Sequence, residues 1–152
     1  MKKSTLVAAT LLATTFSIQA FAQTVEVKDA WARATVQGQM ATGAFMKLTA
    51  KEGSRLVAAS SPVAGVTEVH EMAMDNNIMK MRAVPGLDLP AGKAVELKPG
   101  GYHVMLMDLK APLKKDTTIP LTLVFKDARG VESRTELKVP VNTAAPMAEH
   151  KH

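Results

Sequence analysis

Eight residues in two short stretches have the types and spacing to do chemistry. In V-H-E-M-A-M-D-N-N-I-M-K-M, His70, Met72 and Met74 precede an Asp75-Asn76-Asn77 turn, and Met79 and Met81 follow it. Alternate residues of a strand share a face, so a two-residue Asn76-Asn77 loop sets Met72 opposite Met81 and Met74 opposite Met79. One face of one hairpin then carries an imidazole and four thioethers, whereas a three-residue loop would break that parity. The second stretch, G-G-Y-H-V-M-L-M, puts His103, Met105 and Met107 at every other position of a strand. Gly100-Gly101 just before it permits a sharp bend and a close approach of backbone. Imidazole with thioether is the chemistry of a soft ion. These donors bring no charge, which suits Cu(I) and disfavours Cu(II), Zn²⁺, Mg²⁺ and Ca²⁺.

The competing reading is structural. Methionine ordinarily fills cores, and a strand histidine is ordinarily satisfied by hydrogen bonds. Two histidines, each followed two residues later by methionine, in a chain whose other two histidines lie in its last three residues, fit filler poorly. A ring nitrogen not spent on metal needs a hydrogen-bond partner; Glu68, Glu71 and backbone carbonyls are the candidates.

The elements that must position these residues read as β throughout. Short runs rich in Val, Thr, Leu and Met fall at 24–33, 42–49, 55–60, 66–73, 78–84, 94–97, 102–109, 119–126 and 132–139. Gly, Pro, Asn and Asp punctuate them at 51–54, 75–77, 90–92, 99–101 and 127–130. Strands at this spacing predict one all-β domain, a Greek-key sandwich or small barrel. Pro120 near the start of a strand is tolerable there. The pattern stops at Pro140, which leaves 141–152 as an Ala-rich tail outside the domain.

The chain opens with Met1-Lys2-Lys3, an apolar run and Ala20-Phe21-Ala22. This is the pattern of an export signal cleaved after Ala22, too short for a retained span. The expected organisation is a signal peptide over 1–22, a β-domain over 23–140 and the tail over 141–152, in a periplasmic protein with no membrane span after cleavage. Loss of Lys2 and Lys3 lowers the formal net charge of +5 by two. The remaining basic residues are scattered, and aromatic residues are few, so the footprint of a nucleic-acid binder is missing. Cysteine is absent while methionine numbers ten. Disulfides, thiolate ligands and a blue-copper centre are therefore excluded. No Ser/His/acid arrangement appears, and the donors assemble no water-activating Zn²⁺, so the expectation is a protein that is not an enzyme.

Ten residues separate His70 from Met81, twenty-one separate Met81 from His103, and one separates His103 from Met105. This H-x10-M-x21-H-x-M spacing resembles that of the PCuAC-type periplasmic copper chaperones. D-A-W-A-R-A-T at 29–35, T-G-A-F-M-K-L at 42–48, L-K-P-G-G-Y-H-V-M-L at 97–106 and T-I-P-L-T-L-V-F at 118–125 look like the same family. The likeness spans nearly all of 25–139. It implies a cupredoxin-like barrel binding one Cu(I) through His70, Met81, His103 and Met105. Met72, Met74, Met79 and Met107 become lining or core, with Met72 and Met79 the nearest substitutes. It further implies delivery of copper to the CuA-containing subunit of cytochrome c oxidase, in some members alongside a Sco-type thioredoxin-like protein. A copper buffer or resistance protein with the same site and no obligate acceptor is the alternative. The tail's Met147, His150 and His152 resemble extensions that bind a second copper, Cu(II), in some members; an inert terminus is the other reading.

Overall fold

The computed structural model describes residues 25–146. The leader expected over 1–22 and the tail residues Met147, His150 and His152 lie outside the described residues. Ten strands and no helix make up what is described: β1 Val25–Arg33, β2 Ala41–Ala50, β3 Ser54–Ser60, β4 Ala64–Asp75, β5 Ile78–Ala83, β6 Leu87–Leu89, β7 Ala94–Leu97, β8 His103–Leu109, β9 Thr118–Lys126 and β10 Glu132–Asn142. Nine of them fall where hydrophobic alternation predicts. β6 was not anticipated, because three residues between Gly86 and Pro90 are too few to show a period. Its Leu87 and Leu89 point inward and are buried.

The strands run β5-β4-β8-β2-β1-β10-β9-β3-β6, with β7 pairing Met46–Thr49 of β2 beyond the stretch that β8 pairs. All pairs are antiparallel except β1 with β10, the parallel seam joining the two halves of the fold. Val104 and Leu106 of β8, Met46 and Leu48 of β2, Leu121, Leu123 and Phe125 of β9, and Val139 and Val141 of β10 meet in one core. Val141 is fully buried and pairs with Ala32 across the seam. The domain therefore runs beyond the expected end at Pro140, since an apolar side chain facing the core keeps the chain in the sheet. Phe125→Ala, at a fully buried ring, is expected to cost about 3–5 kcal/mol, read as a lower denaturant midpoint at unchanged slope.

One irregularity decides what the outer face of β1 carries. Val25 and Val27 face the core, Asp29 takes a positive φ of 54°, and from there Ala30 and Ala32 face inward instead. The register with β2 shifts between Lys28 and Trp31. An extra residue in one strand reverses the parity beyond it. Trp31 and Arg33 are thereby delivered to the outer face, beside Phe45 of β2.

Candidate metal centre

Asn76 and Asn77 both adopt positive φ, 49° and 63°, as a two-residue hairpin turn of the primed type requires. Asp75 pairs with Ile78, which sets Met74 opposite Met79, Met72 opposite Met81 and His70 opposite Ala83. The parity condition for a thioether face is met. Strand β8 lies on the other edge of β4, with His103 directly opposite His70 and Met105 opposite Glu68. Gly43 of β2 in turn pairs with Met105. The outer faces of β5, β4 and β8 thus bring His70, Met81, His103 and Met105 onto one surface, with Met72, Met74, Met79 and Met107 around them.

His103 Nε2 lies 3.2 Å from Met81 Sδ. Met81, His103 and Met105 line an open pocket of about 290 Å³ together with Met72, Phe45 and Arg33. His70 stands beside its wall, its ring centroid 5.9 Å from that of His103. Both histidines are buried, at 9% and 6% exposure, whereas Met81 is 47% exposed. The imidazoles are sunk into the sheet surface while the Met81 side chain is half open to solvent.

Hydrogen bonds select which nitrogen of each ring is free. Nδ1–H of His103 donates to the Gly101 carbonyl at 3.1 Å, leaving the Nε2 lone pair aimed at Met81. Nε2–H of His70 donates to Glu68 Oε2 at 2.8 Å. Among the described residues its buried Nδ1 has no hydrogen-bond partner. A buried polar atom with no partner is costly, and here it is an imidazole lone pair on the face that carries the thioethers. A ring bonded through one nitrogen and free at the other is the usual preparation for metal ligation. Glu68 and a backbone carbonyl, both anticipated from the sequence, supply those bonds; Glu71 instead pairs with Arg82 at 2.6 Å on the other face of the hairpin. Among the described residues no three His, Cys, Asp or Glu side chains converge. The side chains gathered on this face are imidazoles and thioethers, neutral donors softer than the carboxylates that suit Ca²⁺.

Sequence reasoning gave no role to the aromatic buttress. Trp31 and Phe45 lie 4.8 Å apart by centroid, Phe45 reaches to 6.3 Å from His103, and the Arg33 guanidinium sits 5.6 Å from the Phe45 ring. A Cβ on Gly43 would meet the Phe45 ring at 2.9 Å, so glycine is what lets that ring lie beside the pocket. The D-A-W-A-R and T-G-A-F stretches carried the signal, but nothing local tells that a bulge points Trp31 and Arg33 outward.

Burial holds the His103 pKa below its ordinary 6.5; the Gly101 carbonyl opposes this and His70 adds to it. The folded ring stays neutral where the unfolded one has begun to bind a proton. Stability from this group is therefore full above about pH 6.5 and falls as the pH drops toward the lowered folded value. The metal-free protein should melt at a lower temperature at about pH 5 than at about pH 7.5, and His103→Asn should shrink that difference. Equal differences in the two proteins by calorimetry would exclude His103 as the source.

Comparison with known proteins agrees with this architecture. The apo PCuAC domain of PmoF1 superposes with a TM-score of 0.65 at 23% identity, covering 82% of this chain and 97% of that one. The solution structure of CuI-DR1885 from Deinococcus radiodurans matches at 32% identity and a TM-score of 0.57, over 82% of each chain. "Putative lipoprotein Lxx21020" of Leifsonia xyli subsp. xyli is 37% identical over 150 residues, 91% of this chain and 88% of that one. The class defined by the fold is a cupredoxin-like β-domain of the PCuAC type. The chain belongs to the LpqE-like family, whose profile, described as "Putative lipoprotein LpqE-like", matches residues 25–141.

Proposed function

We propose that this protein is an exported Cu(I) metallochaperone that carries one ion on His70, Met81, His103 and Met105 and passes it to another protein. The observation that carries the reading is the pair of buried histidines with one nitrogen committed and the other free, on a face where Met81 Sδ lies 3.2 Å from His103 Nε2. The copper-loaded relative from Deinococcus radiodurans supports it. Cu(I) has no strong geometric demand, so ligands can leave and arrive one at a time. The exposed Met81 is the ligand an acceptor can displace first, while the buried histidines hold the ion until new donors engage. This is carriage, without a chemical step on the ion.

The acceptor we favour is the CuA-containing subunit of cytochrome c oxidase in the periplasm, with a Sco-type thioredoxin-like protein as a second partner. The leader ending at Ala22 supports export. A second, Cu(II), site on Met147, His150 and His152 is part of the reading. The test mixes the Cu(I)-loaded protein, as the full mature chain and as a chain ending at Pro146, with a reduced apo CuA domain, and follows the copper each protein holds after rapid separation. Both forms should deliver, and only the full chain should bind Cu(II) in addition. Transfer no faster than to a small chelator would replace delivery by a copper-buffering or resistance role with the same ligands.

A further inference from the structure

We propose that Met72, Met74 and Met79 form a second Cu(I) position on the outer face of the hairpin, outside the pocket. Eight methionines lie among the described residues, and only Met46 is buried. Met74 is 65% exposed and Met79 47%, so core filling does not account for them. Exposed apolar side chains that bury nothing contribute little to folding, and leucine would serve a packing role as well.

Register sets these side chains beside one another on one face. Asp75 and Ile78 close the two-residue turn as a hydrogen-bonded pair, and pair types alternate along an antiparallel ladder. Met74 with Met79, and Met72 with Met81, are then the non-hydrogen-bonded pairs, whose side chains approach most closely. Met72 is diagonal to Met79, within reach of so long a side chain. Between His70 and Ala83 the charged residues are on the hairpin's other face, where Lys80 pairs with Asp75 and Arg82 with Glu71, and Glu68, on the thioether face, is bonded to His70. Three neutral thioethers with no carboxylate or ammonium among them select a soft monovalent ion. Met72 also lines the pocket, so the two positions adjoin. Without an imidazole, the outer position binds more weakly than the pocket.

This inference rests on reading the pocket as a Cu(I) site, and the two fail separately. The experiment titrates Ag(I), a redox-inert stand-in for Cu(I), into the full mature protein labelled with ¹³C at its methionine methyls. The first equivalent is expected to move Met81 and Met105, and the second to move Met74 and Met79. In Met74→Leu/Met79→Leu, exposed and nearly isosteric changes, the first equivalent should bind as before and the second be lost. Met74 and Met79 unmoved through two equivalents, or a second equivalent that moves Met147 alone, would overturn the proposal. Movement of Met74 and Met79 with Met81 and Met105 still would uphold it and refute the pocket reading.

Discussion

A chain carrying His70→Ala and His103→Ala is expected to lose Cu(I) affinity by at least about a hundredfold, and by about ten-thousandfold at the upper end of the range. Changing a group that merely supports a ligand costs about 10–100-fold in metal affinity, so removing two ligands outright should cost no less than the product. The fold should survive. Neither ring belongs to the apolar core; both stand on the outer faces of β4 and β8, where the backbone ladder between Val69 and Val104 and between Thr67 and Leu106 is untouched. The measurement is competition with a chromogenic Cu(I) chelator, with far-ultraviolet circular dichroism on the same samples. Native dichroism with affinity unchanged would mean the histidines are structural, and the reading of the site would fall with them.

Met81→Leu should weaken Cu(I) binding by about a hundredfold while moving stability by no more than about 0.5 kcal/mol. The swap keeps the volume and removes the sulfur, at a side chain that is 47% exposed. Met46→Leu is the same chemical change in the core, at 2% exposure. It should leave copper affinity alone and cost up to about 1.5 kcal/mol in packing. This pair of variants separates sulfur as ligand from sulfur as filler. If Met81→Leu kept full affinity, Met81 would be lining, and Met72, its cross-strand neighbour in the same pocket, would be the sulfur to test next.

What the sequence determined by itself was local. A period of two, interrupted by Gly, Pro, Asn and Asp, marks nine of the ten strands, because alternation and turn chemistry act over a few residues. The hairpin register followed in the same way: Asn76 and Asn77 tolerate positive φ, the turn takes two residues, and every side chain from His70 to Met81 has its face assigned. The pairing of His70 with His103, thirty-three positions apart, had no local signal beyond likeness to a known family. Tertiary structure decided it by laying β8 against β4. Tertiary structure also decided which nitrogen each ring keeps free, since Glu68 and the Gly101 carbonyl act only once the strands are in place. The bulge at Asp29 and the burial of Val141 against the parallel seam are of the same kind. Each depends on which side of a strand meets a core assembled from distant residues, and side-chain parity along one segment carries no record of that.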